Sequence, residues 1–156
     1  LRTFDKVKGA PVFCGKTNCL LGVISDLTYC SKEGRITGYW IQNHQWWSRK
    51  HVLPIKGKYQ RTKKGFFVHH NQFLTPVDNN ERRFFHGKDR MIGKPVVKQD
   101  GDMVGIVEDV YFLPNSGRIL GYELTEGLFE DFTRGIMVKK TGDSGISFKG
   151  TSLLIH

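Results

Sequence analysis

No apolar run in this sequence approaches the ~18 residues of a membrane-spanning helix, so membrane insertion is not expected. No stretch keeps a 3.6-residue hydrophobic period, which makes helix a minor component. G-x-S-x-G, the phosphate-cradling Walker loop and G-x-G-x-x-G are all missing. The sequence therefore offers no nucleophile elbow and no nucleotide loop, and neither an enzyme nor a cofactor is expected. Cysteine is sparse and odd in number: Cys14, Cys19 and Cys30, without a C-x-x-C pair. That count points to a reducing, cytoplasmic setting rather than a disulfide framework. With His44, His51, His69 and His70 these thiols are the right ligand types for zinc, but at the wrong spacings, and no metal site is expected.

Acid is scarce in one part of the chain only. Residues 1–87 hold 15 basic and 5 acidic side chains, whereas residues 88–156 hold 9 and 10. A basic half of this kind suits a polyanion or an acidic protein surface.

What the sequence does contain is a repeat. Gly22–Tyr39 reads GVISDLTYCSKEGRITGY, and 83 positions on Gly105–Tyr122 reads GIVEDVYFLPNSGRILGY. Gly22, Asp26, Gly34, Arg35, Ile36, Gly38 and Tyr39 recur as Gly105, Asp109, Gly117, Arg118, Ile119, Gly121 and Tyr122. An internal repeat decides the architecture before any other signal. The expectation is two copies, 1–76 and 85–156, joined by a linker at 77–84 whose composition is polar and turn-rich.

Within each copy the pattern is β. Leu20–Tyr29 and Met103–Phe112 read as strands, Arg35–Ile41 and Arg118–Leu124 as their return strands. The turns end on Gly34 and Gly117, where a positive φ closes the hairpin. Alternation predicts Thr37, Tyr39 and Ile41 inward, with Leu120, Tyr122 and Leu124 likewise. Gly38 and Gly121 stand mid-strand, which suits a bend or a close backbone approach. Asp5 and Asp89 are expected to start Asx-type turns leading into the first strand of each copy. Gly65–His69 is aligned with Gly145–Lys149, and Phe73-Leu74 with Leu153-Leu154, leaving KGKYQRTKKG as a loop with three extra residues in the first copy. About six short strands per copy suit a small closed barrel.

The segments Gly9-Ala-Pro-Val, Leu21–Asp26 and Gly34–Gly38, with Gly93-Lys-Pro-Val, Val104–Asp109 and Gly117–Gly121, resemble the PRC-barrel family. That barrel occurs in the photosynthetic reaction centre H subunit and in RimM-type ribosome-maturation factors, and the tandem arrangement resembles PRC-barrel proteins of Bacillus-type bacteria. The resemblance implies an all-β fold of two tandem small PRC-like β-barrels and an adaptor or assembly role without catalytic residues.

The functional expectation is a protein-binding adaptor, with self-association among the partner choices; the alternative is an RNA-associated factor of the ribosome-maturation type. Trp40 and Trp47 are expected at the surface, because the second copy carries Glu123 and Glu130 in their places. With Arg49, Lys50, Lys58, Arg61, Lys63 and Lys64 they form the candidate binding surface for protein or RNA. Glu123, Glu126, Glu130 and Asp131 give the second copy an acidic answer to it. The paired Asp26 and Asp109 are read as structural, each facing Arg35 or Arg118 across its own hairpin.

Overall fold

The computed structural model describes residues 1–43, 51–69, 75–76 and 81–125, together with the backbone of strands 137–140, 146–149 and 152–155. Among the described residues the chain is all-β apart from one four-residue helix. It runs β1 (Arg2–Thr3), α1 (Phe4–Val7), β2 (Pro11–Cys14), β3 (Leu20–Cys30), β4 (Arg35–Gln42), β5 (His51–Pro54), β6 (Tyr59–Thr62), β7 (Gly65–Val68) and β8 (Thr75–Pro76). The second run is β9 (Arg82–Arg83), β10 (Pro95–Lys98), β11 (Met103–Phe112), β12 (Ile119–Thr125), β13 (Met137–Lys140), β14 (Ile146–Lys149) and β15 (Ser152–Ile155).

Two sheets result, with the same wiring. One is ordered β6-β7-β2-β3-β4-β5-β8 and the other β13-β12-β11-β10-β15-β14. In each, a short strand pairs antiparallel with the long hairpin strand and parallel with the second strand of a later hairpin, β7 or β15: Val12 lies opposite Phe66, and Val96 opposite Leu153. The hairpins Gly22–Ile41 and Gly105–Leu124 are equivalent, both with bulges at matching places. Among the described residues no pairing joins the two ends of either sheet.

Those bulges overturn the simple alternation expected for the return strands. The register shifts at Thr28/Tyr29 and Tyr111/Phe112, so Ile36 and Ile119 enter the core while Thr37 and Leu120 stay half-buried. A bulge adds a residue on one strand only, which changes the face of everything beyond it. Tyr39, Ile41, Tyr122 and Leu124 do point inward as expected. Gly38 is where β5 comes close: a Cβ there would run into the Val52 side chain and the Leu53 carbonyl oxygen. Gly34 and Gly117 hold φ +60 and +77 at the two hairpin turns, a region closed to most side chains.

The last hairpin of each copy is out of register with the expected alignment. By its pairing, β7 corresponds to β15 and β6 to β14, an offset of 87 rather than 80. Between the long hairpin and the last one the second copy is four residues longer, three of them where 126–136 answers to 43–50 and one where 141–145 answers to 55–58. KGKYQRTKKG is thus no loop; it supplies β6 and the tight Lys63-Lys64 turn.

The two lead-in segments are exchanged. β1 pairs with β11 in the second sheet, and β9 pairs with β3 in the first. Arg82–Arg83, within the stretch read as a linker, is therefore a strand, and Phe84 after it is fully buried. Phe4 and Phe84 meet edge to face, with ring centroids 5.5 Å apart, in the one core that both sheets share. Asp5 starts no Asx turn; Thr3 caps α1, its hydroxyl accepting from the Lys6 amide.

At the hairpin turns the exchange is repeated. The Ile36 amide donates to the Gly117 carbonyl at 2.7 Å, and the Ile119 amide to the Gly34 carbonyl at 3.1 Å. The two halves thus face each other about an approximate two-fold relation, each closing contacts that the other leaves open.

Candidate functional site

The repeated aspartates do not face Arg35 and Arg118. Asp26 is fully buried, and its carboxylate accepts from the amides of Leu27, Phe85 and His86 at 2.8, 2.7 and 3.0 Å. Arg83 Nε lies 3.0 Å and His86 Nδ1 2.9 Å from the same group. Arg35 instead pairs with Glu33 on its own turn. Asp109 is the counterpart: it accepts from Val110 at 2.7 Å and, across the halves, from Phe4 and Asp5 at 2.9 and 3.2 Å. Burial pushes the Asp109 carboxyl above the usual carboxylate range, against the pull of those three amides. Both aspartates are struts between the copies, each receiving the lead-in segment of the other. A buried carboxylate needs such donors, because leaving it bare in the interior is prohibitive.

Trp40 is not an exposed ring. It is buried to 7 % exposure, and the Arg83 guanidinium lies 3.9 Å from its ring centroid. The glutamate in the corresponding place is itself half-buried, so a charge there is no guide to exposure. Trp47, Arg49 and Lys50 lie outside the described residues, as do Trp46 and the ligand candidates His44 and His70. Arg61, on β6, is exposed, and its guanidinium reaches back to the Lys6 carbonyl at 3.2 Å and the Phe66 ring at 5.4 Å. Lys58, Lys63 and Lys64 are exposed along the β6–β7 hairpin, and among the described residues no carboxylate pairs with them.

Pairing places a second feature beside those lysines, one missed by the charge-led search. Val12, Phe66 and Val68 are buried, so Phe13 and Phe67 stand on the opposite face, where their rings stack at 5.2 Å. Leu20 lies directly opposite Phe13, and Gln60 directly opposite Phe67. Leu20–Phe13–Phe67–Gln60 is one row across β3, β2, β7 and β6, with Leu20 39 % exposed and both phenylalanines outside the shared core. In the second sheet Met103, Val97, Leu154 and Ser147 hold the equivalent register, and Met103 is 47 % exposed. Alternation around Phe13 and Phe67 could have suggested the face, but their neighbours become known only through the β2–β7 parallel pairing.

Among the described residues no group of three His, Cys, Asp or Glu side chains is arranged to hold a metal ion, and no helix is long and apolar enough to cross a membrane.

Residues 85–150 match the PRC-barrel domain family. The chain is 27 % identical over 160 residues to "Uncharacterized protein YrrD" of Bacillus subtilis (strain 168), an alignment spanning all of this chain and 88 % of that protein.

Proposed function

We propose that this chain, whose residues 85–150 match the PRC-barrel domain family, is a non-catalytic adaptor that binds an acidic protein segment across the first sheet. The observation that carries this reading is the apolar row Leu20–Phe13–Phe67 lying next to the cationic β6–β7 hairpin. A stacked aromatic pair with a polar, charged rim has the make-up of a binding hot spot. The charge of residues 1–87 sets the sign of the partner. RNA binding is less well supported, because Trp40 offers no stacking face and the Arg61 guanidinium already bonds the Lys6 carbonyl.

The test is retention of lysate proteins on the full chain, with and without ribonuclease, beside Phe67→Ser and a Lys58, Lys63, Lys64→Ala variant of unchanged circular dichroism. The reading expects a nuclease-resistant protein, lost on Phe67→Ser with a penalty of at least ~2 kcal/mol in direct binding. Removing the lysines should chiefly slow association. Retention that vanishes with ribonuclease overturns it. So does micromolar binding of a generic single-stranded RNA with a log–log salt slope of about −0.7 per phosphate that the lysine variant flattens.

A further inference from the structure

We propose that Cys14 and Cys19 form a reversible redox site, in which a hydroperoxide oxidises Cys14 and Cys19 closes a disulfide with it. Cys14 ends β2, and Cys19 is the last residue of the five-residue loop 15–19 that joins it to β3. Phe13 and Leu20 are paired, and one step further the Cys14 amide donates to the Cys19 carbonyl at 2.8 Å. The loop is closed by the Asn18 amide on the Cys14 carbonyl, also at 2.8 Å, with Asn18 at φ 53. Cys14 and Cys19 are therefore opposed across the mouth of the hairpin, and opposed residues share a face. The Cys19 amide turns to the Thr17 hydroxyl at 3.3 Å, so the two residues share a single backbone bond; residues opposed on antiparallel neighbours have Cα atoms about 4.5–5.5 Å apart, inside the span of roughly 4.4–6.8 Å that a disulfide bridges.

The surroundings divide the roles. Cys14 is half-buried and Cys19 exposed, and both are free thiols. The Thr17 hydroxyl, then the loop amides of Lys16 and Thr17, pull the Cys14 thiol below its ordinary value; the Lys16 charge adds to this and a little burial opposes it. A stabilised thiolate is the nucleophile in such chemistry. The backbone itself does not need sulfur. In the second copy Lys98 and Asp102 hold the same places, and the Lys98 amide donates to the Asp102 carbonyl at 2.9 Å.

The chemistry balances with hydrogen peroxide as the hydroperoxide. The Cys14 thiolate attacks the O–O bond, keeps one oxygen as a sulfenic acid and releases the other as hydroxide, which takes up a proton to become water. The Cys19 sulfur then attacks Cys14, the sulfur–oxygen bond breaks, and that oxygen leaves as water with the Cys19 proton. Two thiols and one hydrogen peroxide give one disulfide and two waters. A small-molecule thiol reverses the bond by exchange. Cys30, at the far end of β3 opposite Arg35, serves as an internal control.

The experiment treats the full chain with hydrogen peroxide and follows intact mass and a non-reduced peptide map. Expected is a loss of two hydrogens, with the pieces on either side of a tryptic cut at Lys16 still joined, and Cys30 alone open to alkylation. A thiol reductant restores the starting mass. Cys19→Ser should stop at a sulfenic acid on Cys14, trapped by a 1,3-dione. Cys14→Ser should slow peroxide consumption by about tenfold or more. The proposal is overturned by no reaction, by a disulfide through Cys30 or between chains as the main product, or by Cys14→Ser reacting at the parent rate. It is equally overturned if Cys14 proceeds to the sulfinic acid while Cys19 is present.

Discussion

Replacing Asp26 by Ala removes the acceptor for five donors at once: the amides of Leu27, Phe85 and His86, Arg83 Nε and His86 Nδ1. The carboxylate is fully buried, so water does not replace it without opening the junction between the halves. Breaking a buried charged contact by deleting one partner costs about 3–5 kcal/mol, and orphaned buried amides about 1–3 kcal/mol each, with overlap between the two figures. We expect Asp26→Ala to lower stability by about 3–5 kcal/mol. Asp26→Asn keeps one carbonyl oxygen for Leu27 and Phe85 but turns an amide group toward further donors, and should fall between parent and Ala. Urea unfolding followed by circular dichroism and tryptophan emission gives the magnitude. Hydrogen exchange gives the place: the Phe85 and His86 amides should lose protection first. A loss below about 1 kcal/mol, or unchanged protection at those two amides, would refute the reading of Asp26 as a strut between the copies.

Gly38→Ala should destabilise by roughly 1–3 kcal/mol by overpacking against Val52 and Leu53, measured by the same urea titration. Gly117→Ala combines a positive φ with a Cβ driven into the Ile36 carbonyl, so amide exchange at Ile36 should rise along with the loss of stability. Arg83→Ala takes the cation off the Trp40 ring and one donor off Asp26; tryptophan emission should shift to the red, with about 0.5–2 kcal/mol lost from the ring contact alone. Burial raises the folded-state carboxyl of Asp109, so the folded state holds its proton more tightly than the unfolded chain. Stability relative to Asp109→Asn should therefore fall as pH rises from the ordinary carboxylate range through the raised value, and a flat difference across that window would contradict the shift.

The hairpins Gly22–Ile41 and Gly105–Leu124 were legible in the sequence, because turn glycines, period-two apolar residues and the repeat are all local signals. So were the turn roles of Gly34 and Gly117. The bulges were not, and with them went the burial of Ile36 and Ile119, since the extra residue, Thr37 in β4 and Leu120 in β12, looks like any other residue of an alternating strand until its partner is known. The register of β7 with β2 was equally out of reach, because parallel partners carry no sequence spacing of their own. Only the tertiary structure decided what Asp26 and Asp109 do. Their repetition announced a structural role, but apart from the adjacent Leu27 and Val110 amides their donors come from 57 or more residues away, on the lead-in of the other copy. The same exchange buries Trp40 under Arg83 and stands Cys14 and Cys19 face to face only through the closed hairpin. Composition determined the charge and the repeat determined the β wiring; the contacts that give each residue its chemistry depend on which distant backbone arrives beside it, and that is settled by packing.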